Sequence, residues 1–190
     1  MSDRFATALT YAVTLHRDQV RKGSGCPYVS HLLAVASLVM EAGGSEVECI
    51  AALLHDAVED QGGARTAAEI RRRFGGQVAD IVETCTEDRT PGRTWKERKR
   101  GAIRKVAEAD GPARLVLSAD KLHNARSLIA AYRRRGERLW ERFRGGRDET
   151  LWYYRTMSEA LALAGGSPLQ DELERSVRDL EAVVSRREGR

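Results

Sequence analysis

Residues 51–60 read Ala-Ala-Leu-Leu-His-Asp-Ala-Val-Glu-Asp, an apolar half-helix that runs straight into His55, Asp56, Glu59 and Asp60. At about 100° per residue, His55 and Glu59 lie one helical turn apart, and Asp56 and Asp60 lie one turn apart beside them. Three carboxylates in so narrow a sector repel one another, and a divalent metal ion is the simplest group that would neutralise them. The His-Asp pair alone still favours a plainer interpretation, a capped helix end with solvated acids.

Two further stretches place polar residues in apolar surroundings. The sequence Pro-Tyr-Val-Ser-His puts His31 at the start of an otherwise apolar helix. Asp120 lies inside a strongly apolar helix, where an unpaired carboxylate is costly to bury. With His55 and Asp56 they make two imidazoles and two carboxylates, a mixed nitrogen and oxygen set that suits Mn, Fe, Co or Zn. Together these stretches favour a metal site over a simple helix end.

Apolar residues recur at three- and four-residue steps over almost the whole chain, which predicts helices. The first predicted helix spans residues 3–20, the second ends at Gly43-Gly44, and Ser45 caps the third. Further helices are predicted over residues 66–74, 76–87, 95–109, 113–132, 147–164 and 168–185. No sustained alternation or hairpin turn favours strands. We therefore predict an all-α bundle of about eight to ten helices, a single domain over residues 1–190 that ends in a C-terminal helix and basic tail at 168–190.

The composition excludes several classes of protein. Of 190 residues, 42% are hydrophobic and 32% are charged, which is too apolar for a disordered chain. The net charge of +4 is too small to imply nucleic acid as a partner. No apolar run reaches the about 20 residues that span a bilayer, so no membrane partner is expected. Three widely spaced cysteines and the absence of a signal-peptide pattern predict a cytoplasmic protein without a disulfide framework.

The order of the candidate ligands resembles that of the HD-domain metal phosphohydrolases. More narrowly, the chain is similar to the hydrolase domain of RelA/SpoT proteins and to their single-domain relatives, the small alarmone hydrolases. The matching segments are Arg17-Asp-Gln-Val-Arg-Lys-Gly23, Gly25-Cys-Pro-Tyr-Val-Ser-His31, Leu53-Leu-His-Asp-Ala-Val-Glu-Asp60, Phe74-Gly-Gly-Gln-Val78 and Ala119-Asp-Lys-Leu-His-Asn124. They fall in order within residues 3–162, and one departure is Leu32, where the family usually has proline. RelA/SpoT proteins also carry synthetase and regulatory domains, which 190 residues are expected to be too few to hold.

The resemblance implies a metal site and a catalytic pair. One ion, usually manganese, would be held by His31, His55, Asp56 and Asp120. The catalytic pair, Glu59 and Asp60, would act on the attacking water and on the leaving group, as carboxylates beside a cation can.

The resemblance also implies contacts with a purine nucleotide that carries several phosphates. Arg21 would lie against the purine base and Lys22 would help to hold the charges of the site in place. Asn124 and Ser127 would contact the ribose and its 5′ phosphate. The pyrophosphate end of the substrate would be flanked by a basic helix with Lys96, Arg98, Lys99, Arg100, Arg104 and Lys105, although the sequence does not assign which of these touch phosphate.

The remaining candidates receive structural interpretations. We expect His123 to support the site rather than to bind a second metal, and His16 to be packed or hydrogen-bonded. Tyr28 is expected to pack beside the metal loop.

The function implied is a manganese-dependent guanosine-3′,5′-bis(diphosphate) 3′-pyrophosphohydrolase, which converts ppGpp or pppGpp to GDP or GTP and pyrophosphate. Such an enzyme acts on the alarmones of the stringent response. Two alternatives stay open: the same chemistry on ppApp or on the 2′-phosphate of NADPH, and a nucleotide sensor without catalysis. The sequence leaves the oligomeric state open, a homo-oligomer included.

Overall fold

The computed structural model describes residues 1–22 and 24–188, and within them every regular element is a helix. The α-helices are α1 Asp3–Leu15, α2 Val29–Glu41, α3 Glu46–Leu54, α4 Ala57–Asp60, α5 Gly63–Cys85, α6 Trp95–Val106, α7 Gly111–Arg135, α8 Gly146–Leu163 and α9 Gln170–Glu188. A 3₁₀-helix, η1, spans Gly136–Arg142. The predicted all-α fold is confirmed. The end of the predicted basic tail, residues 189 and 190, lies outside the described residues.

Local sequence signals explain where several of the helices begin. Ser45 caps α3 as predicted, and with Glu48 it forms a reciprocal capping box that satisfies two backbone N–H groups. Thr94 and Glu97 form the same arrangement at the start of α6. The side chain of Asp110 caps α7, whose first turn also contains Pro112. These caps fix the helix starts independently of tertiary packing.

The predicted first helix over residues 3–20 is wrong at its C-terminal end, because α1 stops at Leu15. The chain then folds back on itself: Tyr28 N–H donates to the carbonyl of Gln19 at 2.8 Å, and Arg21 N–H donates to the carbonyl of Cys26 at 2.9 Å. These bonds replace the helical ones that residues 16–20 would otherwise make. The return loop carries Gln19 and Arg21 to the site described below.

Helix α5 bridges two of the predicted segments, 66–74 and 76–87, and the predicted break falls at Gly75. This residue has φ 81° and ψ 170°, a non-helical conformation inside the helix. Glycine reaches positive φ without the steric cost of a side chain, so the sequence can turn here and continue. The kink separates the half of α5 that packs near α4 from the half that leads toward α6.

The main core forms where α2, α3, α5 and α7 pack together, and α7 runs through its middle. Completely buried side chains include Leu32 and Val35 from α2, Leu53 from α3, Ile70 from α5 and Val116 from α7. A second apolar cluster joins the end of α7 to η1 and α9. None of the described helices is both long and apolar enough to cross a membrane. A buried polar centre lies at the point where α2, the α3–α4 junction and α7 meet.

Candidate active site

Four buried or partly buried side chains meet at this polar centre. His31 lies in the first turn of α2, His55 and Asp56 form the junction of α3 and α4, and Asp120 lies in the middle of α7. His31 Nε2 is 3.5 Å from Asp56 Oδ2 and 3.2 Å from Asp120 Oδ1. His55 Nε2 is 3.0 Å from the same Asp56 oxygen and 3.7 Å from the same Asp120 oxygen. The structure thus brings together residues that are as far as 89 positions apart in the sequence.

The protonation of His55 shows that this donor set fits a cation. Its Nδ1 lies 2.7 Å from the carbonyl oxygen of Ala52, which can only accept, so Nδ1 carries the proton. Its Nε2 is buried and has no hydrogen-bond partner in the described part of the chain. Ligand atoms of His31, His55 and Asp56 all lie within 4.8 Å of one another. A bare imidazole nitrogen facing carboxylates is an arrangement that a divalent metal ion satisfies.

The electrostatics of the centre favour positive charge. Burial lowers the pKa of His55, but the carboxylates of Asp56 and Asp120 outweigh it and raise that pKa well above its ordinary value. Burial raises the pKa of both carboxyls, yet the neighbouring imidazoles, and Lys121 in the case of Asp120, hold them well below their usual range. The field that attracts a proton to His55 equally attracts a metal ion, which binds in the proton's place.

Two neighbours, Tyr28 and His123, contact these candidate ligands, and the sequence analysis assigned neither contact. The Tyr28 hydroxyl donates to Asp56 Oδ2 at 2.7 Å. His31 Nδ1 lies 2.7 Å from His123 Nδ1, and burial together with the charges of His31 and Arg21 lowers the pKa of His123 to about 4. Neutral His123 therefore contacts Nδ1 of His31, the ring nitrogen that does not face the carboxylates. This contact agrees with the expected supporting role of His123.

Asp120 is held from its own helix by Lys121 and Asn124. The Lys121 ammonium pairs with Oδ2, and the Asn124 amide donates to Oδ1. Burial lowers the pKa of Lys121, but Asp120 beside it raises that pKa well above the ordinary value. Asn124 in turn accepts a hydrogen bond from Arg21 Nη2 at 2.6 Å. Two of the predicted substrate contacts, Arg21 and Asn124, are thus joined to each other and to the centre.

Glu59 and Asp60 lie on α4, just beyond the polar centre. The backbone N–H of Glu87 donates to Glu59 Oε2 at 3.0 Å, and the Arg89 guanidinium contacts both Glu59 and Asp60, at 3.1 Å in the case of Asp60 Oδ1. Gln19 Nε2 donates to Asp60 Oδ2 at 2.7 Å. Burial and the charge of Asp56 raise the pKa of Glu59. The sequence predicted this acidic pair but not its partners, which no local pattern singled out.

A cavity of about 540 Å³ opens beside the pair. Its lining contains every predicted substrate contact, namely Arg21, Lys22, Asn124 and Ser127. One wall is apolar and includes Leu139, Phe143 and Tyr154. A basic side chain, a polar helix face and an apolar wall together suit a base, a sugar and phosphate groups.

A smaller cavity of about 210 Å³ is lined by Asp56 and Asp120 and shares Glu59 and Asn124 with the larger one. Of the six basic candidates on α6, only Lys99 and Lys105 line it, together with Lys121. Lys96 pairs with Glu149, and Arg98 pairs with Glu87, which itself lines the cavity. The structure therefore places two of the six basic candidates, Lys99 and Lys105, beside the polar centre.

Comparison with known proteins shows which family this chain belongs to. Residues 8–150 match the HD domain, and the chain belongs to the HD-domain family. Within it, the chain is 40% identical over 124 residues to the proteins from Mus musculus and Homo sapiens named guanosine-3′,5′-bis(diphosphate) 3′-pyrophosphohydrolase MESH1, which covers 64% of this chain and 67% of each of theirs. A solved structure described as a metazoan ortholog of SpoT that hydrolyses ppGpp superposes with a TM-score of 0.78 and 29% identity, covering 94% of this chain and 96% of that one. The lmo0812 protein of Listeria monocytogenes superposes with a TM-score of 0.69 and 36% identity, over 80% of this chain and 94% of that one.

Proposed function

We propose that this protein is a metal-dependent hydrolase that removes the 3′-diphosphate from (p)ppGpp-type alarmones and releases GDP or GTP and pyrophosphate. The observation that carries the proposal is the meeting of His31, His55, Asp56 and Asp120 beside the Glu59–Asp60 pair, at the junction of two cavities. The names of the MESH1 proteins and of the SpoT ortholog support the substrate class.

The two imidazoles and two carboxylates would hold one divalent ion, and we propose Mn²⁺, which mixed nitrogen and oxygen ligands suit. When bound, such an ion stabilises negative charge on a reacting phosphate. Tyr28 and His123 would keep Asp56 and His31 in place through their hydrogen bonds.

Glu59 and Asp60 would handle the protons of the reaction. Water adds to the phosphorus attached to the 3′ oxygen, the bond from that phosphorus to the 3′ oxygen breaks, and pyrophosphate leaves. One carboxylate accepts the proton that the water loses, and the other carboxyl, in its protonated form, gives a proton to the leaving 3′ oxygen. Because burial and Asp56 raise the pKa of Glu59, this carboxyl is suited to carry a proton in one of these two transfers, and Asp60 would serve the other.

The two cavities would divide the substrate between them. The larger one would hold the base against Arg21 and the ribose against Asn124 and Ser127. The smaller one would hold the 3′-diphosphate, whose charge Lys99, Lys105 and Lys121 would balance.

The proposal is tested by incubating the protein with ppGpp and Mn²⁺ and measuring pyrophosphate. We expect turnover, and we expect Asp56→Ala to abolish it. Asp80→Ala is a matched control, because Asp80 is an exposed acid on α5 that pairs with Arg71. Absence of pyrophosphate release by the wild type would refute the proposal. Parallel reactions with Mg²⁺, Zn²⁺ and Co²⁺ after chelation would test the choice of manganese.

A panel of nucleotides separates the alternatives. Preference for ppApp over ppGpp would show that the base recognised is adenine rather than guanine. Release of phosphate from NADPH would show that the substrate belongs to another class. Tight binding of intact ppGpp over long incubation with metal would indicate a sensor. We also propose a cytoplasmic location, since the cysteines are free and a purine alarmone is an intracellular molecule.

A further inference from the structure

One buried imidazole takes no part in the proposed reaction. His16 follows the last turn of α1 and is only 2% exposed. Its ring stacks on Tyr28 with centroids 5.3 Å apart and an interplanar angle of 12°. Its Nδ1 lies 2.7 Å from Gln19 Oε1, and its Nε2 is buried without a hydrogen-bond partner among the described residues. A buried polar ring with one partner needs an explanation.

The explanation runs through Gln19, which connects His16 to Asp60. Gln19 Nε2 donates to Asp60 Oδ2 at 2.7 Å, and Gln19 Oε1 accepts from Gln61 Nε2 at 2.6 Å. An ionised carboxylate can only accept, so Gln19 must present its NH₂ group to Asp60. Its carbonyl oxygen therefore faces His16, and the proton of His16 must lie on Nδ1. The carboxylate thus fixes the orientation of the amide, and the amide fixes the tautomer of the imidazole.

The opposite arrangement is unfavourable at every contact. A flipped Gln19 would place its oxygen against the carboxylate of Asp60, and Gln61 would have to flip as well to avoid an NH₂–NH₂ contact. The other tautomer of His16 would bury an N–H donor at Nε2 with nothing to accept it. An unsatisfied buried donor costs more than an unused lone pair on a buried ring nitrogen. His16 and Gln61 therefore hold the amide of Gln19 in one orientation.

The two oxygens of Asp60 consequently have different surroundings. Oδ2 is bound by Gln19, whose own partners His16 and Gln61 come from the return loop and from the residue after α4. Oδ1 faces Arg89 Nη2 at 3.1 Å, and the Arg89 side chain is 54% exposed. An exposed guanidinium exchanges partners easily, whereas a half-buried amide held by two neighbours does not.

We propose that Gln19 is a positioning residue for Asp60, held in place by His16, and that it leaves Oδ1 as the oxygen that exchanges a proton during hydrolysis. This inference rests on the proposed function, since it assigns an atom to the proton transfer described there. His16 itself acts through Gln19 and does not touch the substrate.

The test compares two substitutions that separate ring packing from hydrogen bonding. His16→Phe keeps a ring to stack on Tyr28 but removes the Nδ1 donor. His16→Asn removes the ring but supplies an amide donor in its place. We expect His16→Phe to lower kcat for ppGpp by about tenfold or more with KM within about twofold, and His16→Asn to retain more of the activity. A higher kcat for His16→Phe than for His16→Asn would overturn the proposal, because packing alone predicts that order.

Two further variants check Gln19. We expect Gln19→Leu to lower kcat at least as much as His16→Phe does. Gln77 is an exposed glutamine on α5. Gln77→Leu is therefore the control for replacing a glutamine by leucine, and it should keep wild-type kcat. A Gln19→Leu enzyme with unchanged kcat would overturn the proposal.

Nitrogen NMR of the histidine rings supplies a readout that does not depend on turnover. We expect Nδ1 of the His16 ring to carry a proton in the wild type, and this preference to be lost in Gln19→Leu. A proton on Nε2 in the wild type would overturn the proposal even if the enzyme is active. If the wild type hydrolyses no ppGpp, the proposed function fails, and the tautomer alone decides whether Gln19 is held as described.

Discussion

Asp120 shows how a carboxylate can sit inside a buried helix. Its two oxygens contact the Lys121 ammonium, the Asn124 amide and the imidazoles of His31 and His55. Each contact offsets part of the cost of removing the charge from water. The negative charge therefore survives burial, and it is directed at the point where the other candidate ligands meet.

A single hydroxyl group tests how far the candidate metal site depends on its neighbours. We expect Tyr28→Phe to weaken binding of Mn²⁺ by about 10- to 100-fold, because Asp56 loses the donor that orients it. Isothermal titration calorimetry on metal-free protein would measure this. Tyr11→Phe is the control, since Tyr11 packs against Phe74 and Arg73 away from the site. Equal affinities for the wild type and Tyr28→Phe would show that Asp56 needs no such support.

The sequence predicted this site unevenly, for a physical reason. Polar residues inside apolar helices, such as His31 and Asp120, are conspicuous because burial without a partner is costly. Tyr28 reaches Asp56 across 28 positions of the chain, and Gln19 reaches Asp60 across 41. Arg89 reaches Asp60 and Glu59 across 29 and 30 positions. Such contacts leave no periodic trace in the sequence, so only the tertiary structure shows them.

At the scale of elements, one acidic side chain ties α6 to the loop that follows α5. Glu87 accepts from Arg98 Nε at 2.8 Å and pairs with the Lys99 ammonium. Its backbone N–H meanwhile donates to Glu59. Burial raises the pKa of Glu87, but Lys99 and Arg98 outweigh it and hold that pKa below its usual value. The loop is therefore joined to both the acidic pair and the basic helix.

This network predicts a pH-dependent loss of stability. Because the folded-state pKa of Glu87 is lowered, its contribution is complete above the unfolded value of about 4.3 and is lost as the pH falls through the folded value. We expect Glu87→Gln to lower the free energy of unfolding by about 1–3 kcal/mol near neutral pH, with a smaller difference from wild type in acid. Urea denaturation at several pH values would measure both.

Glu83→Gln is the matched control for this prediction. The Glu83 carboxylate is half exposed and lies 3.4 Å from Arg71, so its loss should cost under about 1 kcal/mol at any pH. If the difference in free energy of unfolding between the wild type and Glu87→Gln does not shrink in acid, Glu87 is not the ionised partner of Lys99 and Arg98.

The kink in α5 predicts a contrast between two glycines. Gly75→Ala should destabilise the fold by about 1–2 kcal/mol, because φ of 81° is strained for any residue with a Cβ atom. Gly101→Ala, inside α6 with no close contact, should stabilise it by about 0.4–1 kcal/mol. Thermal denaturation of both variants would check the signs, and stabilisation by Gly75→Ala would show that the kink relaxes freely.

Element boundaries show what local sequence rules capture. Ser45 was predictable as a cap because its partner Glu48 lies three residues away. The end of α1 was not, because the bonds that replace its last turn join residues 19 and 21 to residues 28 and 26. Whether a helix continues past such a point is decided by a loop that closes later in the chain.

For the whole molecule, the proposed metal would add a link between helices that already pack together in the main core. Its ligands come from α2, the α3–α4 junction and α7, so an ion bound there would stabilise the folded state over the unfolded one. At about 100 times the dissociation constant this contributes about 2.7 kcal/mol, or roughly 5–10 °C in Tm for a chain of this size. Thermal denaturation with and without Mn²⁺ would measure the shift.

Asp120→Asn should reduce or abolish that shift, whereas the surface variant Asp80→Asn should retain it. A shift of equal size in Asp120→Asn would indicate that the ion stabilises the protein from another place.

The hydrogen bond from Arg21 to Asn124 has a consequence for how any nucleotide is received. The side-chain oxygen of Asn124 already accepts from Arg21, so a guest that donates a hydrogen bond to this oxygen must displace the guanidinium or share the oxygen with it. Binding then exchanges one hydrogen bond for another, so the net free energy of binding is smaller than the new contacts alone would suggest. A small ligand such as a free base therefore gains little binding free energy from this exchange. A ligand that also makes contacts at its other end offsets the lost hydrogen bond. The pocket thereby favours long, multiply charged ligands over short ones.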